Sequence, residues 1–149
     1  MQNKRVLVTG SGTGIGREIA LEFAREGADV AFHYSQSADG AVSGVGQARN
    51  LGVKAEAFKA DFSDLADVLS LAEQAIDFLG GVDVLINNAG ITFNKPFLKV
   101  EPEQFRKIYD VNVQAQFFLT QQIVKDMLKH NDGAICNMTS IHGISGAPE

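Results

Sequence analysis

Several residue types are scarce in this 149-residue sequence, and each scarcity excludes a class of protein. A single cysteine, Cys136, excludes an internal disulfide, and we expect it to be buried in a strand. The three histidines are not at metal-ligand spacing with one another or with Cys136, so we predict no metal site. The net charge of −5 and the lack of a basic block argue against nucleic acid or an anionic membrane as partners. No apolar run could span a bilayer, and Lys4 and Arg5 lead directly into the first apolar run. We therefore expect a cytoplasmic protein.

The remaining composition is ordinary for a soluble globular protein, with 45% hydrophobic and 21% charged residues. We predict one domain over residues 1–149, in which short apolar strands alternate with helices. The strands are expected at 6–8, 29–34, 53–60, 82–86 and 134–138. This alternation predicts an α/β fold: a Rossmann-like, doubly wound parallel sheet with helices on both faces.

The helices are predicted from apolar spacing and capping chemistry. A first helix starts at Ile15 and is expected to bury Ile15, Ile19 and Phe23. The segment 35–46 begins as a loop and leads into a helix that ends near Leu51. Ser63 is the expected N-cap of a third helix. A single helix over 103–130 would then bury an apolar stripe that includes Phe105 and place Asn112 in phase with it. We expect Tyr34 and Tyr109 to pack.

The most informative segment is the turn Thr9-Gly10-x-x-x-Gly14-Ile15-Gly16, which lies between a predicted strand and a predicted helix. Glycines allow positive φ and close approach, and a helix N-terminus presents free backbone N–H groups. This arrangement is typical of a phosphate-binding turn. The spacing is not that of the common G-x-G-x-x-G fingerprint.

Polar or small residues follow the predicted strands at Gly10, Asp61, 87–90 and 139–140. Because ligands of parallel sheets bind beyond the carboxyl ends of the strands, these residues should share one rim. A plainer structural role is the alternative for three polar candidates, namely Asp61, Asn112 and Ser140. Asp61 is either a turn residue or an acceptor for an adenine amine. Asn112 either bonds neighbouring backbone or holds a water or carbonyl near a site. Ser140 either caps the chain or binds a substrate carbonyl.

Taken together, these motifs resemble the classical short-chain dehydrogenases/reductases over the whole chain. The resemblance rests on the glycine turn, Asp61, the run Asn87-Asn88-Ala89-Gly90, Asn112 and Ser140. It implies hydride transfer between NAD(P)(H) and a carbonyl or alcohol substrate. It also implies catalytic roles for Ser140 and Asn112. The cofactor would be bound by Gly10, Ser11, Thr13, Gly14, Ile15, Gly16, Ser35, Asp61, Phe62, Asn88, Ala89 and Gly90.

The sequence departs from that family in one respect. The family's Tyr-x-x-x-Lys pair is absent, because Tyr34 and Tyr109 are not followed by lysine four residues later. We therefore expect the full-length protein to continue beyond Glu149 and the 149 residues alone to be inactive. The alternatives are a non-catalytic dinucleotide-binding or interaction protein and, less consistently with the motifs, a methyltransferase. No acidic residue ends the second strand, which favours NADP, with NAD as the alternative. A full-length family member would be a homo-oligomer.

Overall fold

The computed structural model describes residues 1–145, and this part of the chain forms one five-stranded parallel sheet with helices on both faces. The strand order is β3-β2-β1-β4-β5. The five strands are β1 (Arg5–Val8), β2 (Asp29–Tyr34), β3 (Ala55–Lys59), β4 (Val84–Asn87) and β5 (Ala134–Asn137). The predicted Rossmann-like α/β fold is therefore confirmed. β2 has the predicted bounds, β1 begins one residue earlier than expected, and β3, β4 and β5 are shorter than expected.

The alternation of side chains along the strands divides the core into two layers. Val6 and Val8 of β1 face one layer, which is covered by α1 (Gly14–Arg25) and α2 (Ala38–Asn50). Leu7 faces the other, which is covered by α3 (Leu65–Leu79) and α5 (Ala115–His130). Because successive side chains of a strand point to opposite faces, both layers are apolar and the central strands β1, β2 and β4 are buried on both sides.

The order of the strands determines where a cleft can form. From β1 the chain winds outward through β2 and β3, and then crosses to β4 on the opposite side of β1. In register, Val6 of β1 pairs with Val30 on one side and Val84 on the other. The direction of winding thus reverses between β1 and β4. In doubly wound sheets, ligands bind at this switch point, beyond the carboxyl ends of the strands.

The buried face of α1 differs from the predicted one. Ile15 is 67% exposed, and Ile19 and Phe23 are half-buried. The prediction was wrong for Ile15 because residues four apart drift by about 40° per step on a helix of 3.6 residues per turn. The residues that face the sheet are mainly small, which lets the helix approach it closely. They are Gly16, Ala20, Leu21 and Ala24.

The start of α3 corrects a second prediction. Asp64, not Ser63, is the N-cap, and its side chain accepts a hydrogen bond from the backbone N–H of Ala66 at 2.8 Å. Ser63 instead donates to Asp61 through both its backbone and its hydroxyl. Ser63 therefore stabilises the turn after β3 rather than the helix.

The helix predicted over 103–130 is interrupted. It consists of α4 (Pro102–Tyr109), a π-helical turn over Asp110–Gln114, and α5. The extra residue in the π turn shifts the helical phase, so Val111 is buried and Asn112 is only half-buried. Phe105, expected on the buried stripe, is 58% exposed.

Two further residues were placed wrongly. Cys136 is exposed, because β5 is an edge strand of the sheet formed by the described residues and contributes no residue to either core layer. Tyr109 was expected to pack, but it is 52% exposed and contacts the ring of Phe105. Short 3-10 turns at Phe97–Lys99 and Ile141–Gly143 complete the described elements. Within residues 1–145, none of the helices is both long and apolar enough to cross a bilayer.

Candidate functional site

The turn after β1 requires glycine at two positions. Gly10 has φ +64°, and a Cβ there would lie 2.9 Å from the Cα of Ala89. A Cβ on Gly16 would overlap the side-chain amide of Asn88 and lie 2.6 Å from the carbonyl oxygen of Gly10. The backbone turn, the start of α1 and the end of β4 are therefore packed too closely for a side chain to fit between them.

A hydrogen-bonded clamp holds this turn against the end of β4. The hydroxyl of Thr9 donates to the carbonyl of Ile86 at 3.2 Å and accepts from the N–H groups of Asn88 and Ala89, each at 2.9 Å. The amide of Asn88 donates back to the carbonyls of Thr9, at 2.8 Å, and Gly10, at 3.2 Å. Asn88 thus acts on the turn's backbone, and Thr9 fixes the backbone that follows β4.

A second clamp holds the other side of the turn against β2. The backbone N–H of Ser11 donates to the carbonyl of His33 at 2.8 Å, and the N–H of His33 donates to the hydroxyl of Ser11 at 3.0 Å. That hydroxyl donates in turn to the carbonyl of Val8 at 2.8 Å. The N–H of Gly10 donates to Nδ1 of His33 at 3.0 Å. Ser11 is completely buried, so its side chain supports the turn from beneath.

The amides beyond these clamps remain open. Within residues 1–145, no hydrogen bond uses the backbone N–H groups of residues 12–16. Thr13, Gly14 and Ile15 are exposed there, at the N-terminus of α1. Unpaired N–H groups and the positive end of the helix dipole together favour an anion. The turn therefore has the chemistry of a phosphate site.

A cleft of about 350 Å³ opens beside this turn, at the predicted rim of the sheet. Of the predicted cofactor residues, it is lined by Gly10, Thr13, Ser35, Asp61, Phe62, Asn88, Ala89 and Gly90. The other predicted residues of the turn, Ser11, Gly14, Ile15 and Gly16, build or flank it without lining the cleft. The sequence analysis missed Gly12, His33, Tyr34, Gln36, Ser37, Ile91, Lys107 and Val111. Four of these eight follow a strand, which was the signal available for finding them: Gly12, Gln36, Ser37 and Ile91. The other four lie at the end of β2 or on helical elements.

Asp61 lines the cleft from the turn that follows β3. Its Oδ1 accepts from the N–H of Ser63 at 2.9 Å and from the hydroxyl of Ser63 at 2.7 Å, and these bonds lower the pKa of the Asp61 carboxyl. Lys107, which also lines the cleft, favours the ionised form of Asp61 as well. Asp61 is therefore a charged acceptor at neutral pH, as well as part of a turn.

The two predicted catalytic residues do not line this cleft. Asn112 accepts from the N–H of Ile91 and donates to the carbonyl of the same residue, each at 2.8 Å. This is the backbone-bonding alternative, and it holds the segment after Gly90 in place. Asn112 also lines a neighbouring groove of about 740 Å³ with Thr120 and Asn137. Ser140 is exposed beyond β5, and its carbonyl accepts from the N–H of Gly143 at 2.9 Å.

Comparison with known proteins assigns the chain to a family. The model of the short chain dehydrogenases matches residues 4–149. The chain belongs to the short-chain dehydrogenase family. This short-chain dehydrogenase sequence is 38% identical over 146 residues to 3-oxoacyl-[acyl-carrier-protein] reductase FabG of Staphylococcus epidermidis, covering 98% of the chain and 60% of the relative. The chain thus spans less than two thirds of the length of that curated relative.

Two solved structures place the short-chain dehydrogenase fold beside bound nucleotides. A short chain dehydrogenase of Burkholderia cenocepacia in complex with NADP superposes with a TM-score of 0.93 at 32% identity, over 99% of this chain and 59% of that one. A 7α-hydroxysteroid dehydrogenase in complex with NADH and 7-oxo glycochenodeoxycholic acid gives 0.92 at 37% identity, over 98% and 56%. The relatives are oxidoreductases, and between them they carry both forms of the nicotinamide cofactor.

Proposed function

We propose that this chain is the dinucleotide-binding part of an NAD(P)-dependent oxidoreductase that acts on a small carbonyl or alcohol substrate. The observation that carries the proposal is the glycine turn. Its carbonyls are held by Asn88 and its first amides by His33, while the amides of residues 12–16 stay open at the start of α1. That is a cradle for a diphosphate, and the family relationship indicates which diphosphate.

The residues of the cleft fit such a cofactor. The open amides of the turn would bind the pyrophosphate, and the ionised carboxylate of Asp61 would accept from the exocyclic amine of adenine. Ala89 and Gly90 would form the wall beside the nucleotide. When bound, the nicotinamide supplies or accepts the hydride. Ser140 would hydrogen-bond the reacting oxygen, and Asn112 would keep the backbone of Ile91 in position.

We further propose NADP as the preferred cofactor. The end of β2 lines the cleft with Ser35, Gln36 and Ser37, and among the described lining residues the only carboxylate is Asp61, which follows β3. Ser37 is the N-cap of α2, yet its side chain makes no capping hydrogen bond. Its hydroxyl could therefore donate to a 2′-phosphate. An acidic residue, which would bind the 2′-hydroxyl of NAD and repel that phosphate, does not line this part of the cleft.

The proton in this reaction needs a separate donor. Neither Tyr34 nor Tyr109 is followed by lysine four residues later, as in the family's Tyr-x-x-x-Lys pair, and a serine hydroxyl alone is a poor acid. We propose that residues 1–149 bind cofactor without turning over substrate, and that turnover belongs to a full-length cytoplasmic protein. The rival, a non-catalytic dinucleotide-binding protein, would bind cofactor and remain inactive at full length.

We also propose that the full-length protein is a homo-oligomer. Aromatic side chains stand exposed along α4 and α5, and a surface of this kind is usually covered by protein. They are Phe105, Tyr109 and Phe117, which are 58%, 52% and 63% exposed. Light scattering during gel filtration would test this, and a monomer would contradict it.

The central test is nucleotide binding by the full-length protein and a pair of variants. The signal is the intrinsic fluorescence of NADPH or NADH. Ile15→Pro removes one open amide at a position in the first helical turn where proline is tolerated. Ile15→Ala keeps the amide and removes only the exposed side chain. We expect NADPH to bind more tightly than NADH, and Ile15→Pro to weaken both at least tenfold relative to Ile15→Ala. Equal binding by the two variants would refute the role of the amides.

A further inference from the structure

One buried side chain at the rim has a role that the sequence patterns did not assign. His33 lies near the end of β2, between β1 and β3, and is 2% exposed. Its Nδ1 accepts from the N–H of Gly10 at 3.0 Å, and its Nε2 lies 3.1 Å from the carbonyl oxygen of Ala60. A single ring therefore connects the turn after β1 with the turn after β3.

These two contacts specify one form of the ring. A backbone N–H can only donate and a carbonyl can only accept, so Nδ1 is unprotonated and Nε2 carries the hydrogen. The ring also stacks on Phe62, with centroids 4.3 Å apart and planes 11° apart. Burial lowers the pKa of His33 to about 4, which keeps this neutral form at physiological pH.

The charged groups around the ring do not oppose this form. The turn after β1, residues 9–16, contains no titratable side chain. Next to Ala60, Lys59 and Asp61 are both exposed, and Asp67 of α3 accepts from the N–H of Asp61. Tyr34 on β2 and Lys107 on α4 also line the cleft. None of these groups shifts the pKa of His33, which burial dominates.

We propose that His33 is a positioning residue of the dinucleotide site, where its neutral ring sets the phosphate-binding turn and the Asp61–Phe62 wall at a fixed distance from each other. The inference rests on the proposed function. Gly10 begins the turn whose later amides are open, and Ala60 immediately precedes Asp61. Because the ring is rigid, it constrains the positions of the turn after β1 and of the Asp61–Phe62 wall at the same time. If the acceptor at Nδ1 is lost, the N–H of Gly10 is left unpaired and the turn loses one of the contacts that hold it in position.

The test separates the two contacts by substitution in the full-length protein. His33→Asn places an acceptor oxygen near the position of Nδ1 but does not reach Ala60. His33→Gln reaches toward Ala60 but offers no acceptor at the Nδ1 position, and His33→Leu removes both. His130→Asn, at the exposed end of α5, is the control for loss of a histidine. The measurements are the dissociation constants for NADPH and NADH, with far-UV circular dichroism and thermal unfolding for each variant.

We expect His33→Leu to weaken binding of the preferred cofactor about 10- to 100-fold. His33→Asn should restore most of that affinity and His33→Gln should not, at similar thermal stability, while His130→Asn binds like the wild type. A purely structural role would affect the Asn and Gln variants alike. Equal affinities of those two variants, or unchanged affinity of His33→Leu, would overturn the inference alone. If the wild type binds neither nucleotide, the proposed function fails together with it.

Discussion

Replacing His33 should change how the stability of the protein depends on pH, and the direction follows from the burial of the ring. Burial lowers the pKa of His33 from 6.5 to about 4, partly opposed by the hydrogen bond to Ala60. Between these values the folded protein keeps the ring neutral, whereas the unfolded chain protonates it. Since the unfolded state binds more protons in this window, the free energy of unfolding falls as the pH is lowered from 6.5 to about 4.

The size of the effect follows from the two pKa values. At about 1.4 kcal/mol for each tenfold change in a proton equilibrium, lowering the pKa from 6.5 to about 4 removes about 3 kcal/mol of stability over the window. That is a large fraction of the roughly 5–15 kcal/mol typical of a folded domain. The carboxylates act lower on the pH scale. Arg5 lowers the pKa of Asp83 below 3.8, and Ser63 does the same for Asp61, so their stabilisation is lost only below 3.8.

The assay is urea unfolding followed by far-UV circular dichroism at pH 7 and pH 4.5. We expect the wild type to lose about 2 kcal/mol more than His33→Asn between these two pH values. His130→Asn should lose as much as the wild type, because His130 is exposed. Only the change in the free energy of unfolding between the two pH values is compared. Stability that His33→Asn loses equally at both pH values through poorer packing therefore does not affect the result. If wild type and His33→Asn lose the same free energy, the ring is not buried in its neutral form and the reasoning is wrong.

Three further substitutions test the construction of the rim. Ser35→Asp places a carboxylate where the 2′-phosphate is expected, so NADPH should bind about 10- to 100-fold more weakly and NADH should not; equal weakening in fluorescence titrations would contradict this. Thr9→Val removes the acceptor for two backbone N–H groups after β4 and should lower the free energy of unfolding by about 2–4 kcal/mol in urea titrations. Unchanged stability would argue against the clamp. Gly16→Ala puts a methyl group into the Asn88 amide and should destabilise by about 1–3 kcal/mol. Gly46→Ala, which meets nothing within 4 Å on α2, should stabilise by up to about 1 kcal/mol.

The fold could be predicted from the sequence because its signals are local and repeated. Each strand is a short apolar run followed by glycine or a polar residue, and the parallel sheet brings these ends together without further information. The burial of individual residues depended on packing between elements. Ile15 faces away from the sheet because Gly16 is the residue at which α1 comes closest to the sheet. β5 is exposed because it is an edge strand.

The site was predictable to the extent that its residues follow strands. Gly10, Asp61 and the run after β4 met at one cleft as expected. His33 was not found, because a histidine within an apolar strand resembles a core residue until its two hydrogen-bond partners are known. Asn112 was recognised as unusual, but its partner could not be. The π turn that sets its direction arises from the junction of α4 and α5, and no pattern in the sequence marks that junction.

Several polar side chains of the rim form hydrogen bonds to the backbone, and this explains how the site can be both rigid and open. Thr9, His33 and Asn112 each bond to backbone groups of a neighbouring segment rather than pointing a charge into the cleft. Each bond they make satisfies a backbone group that would otherwise be unpaired, so the turns are held without using the amides of residues 12–16. In the proposed site, a ligand would then be bound by main-chain N–H groups, whose direction is set by these hydrogen bonds. Substitutions that keep an acceptor in place should therefore be tolerated at these positions. Substitutions that remove the acceptor should not be tolerated, even where they change the size and charge of the side chain little.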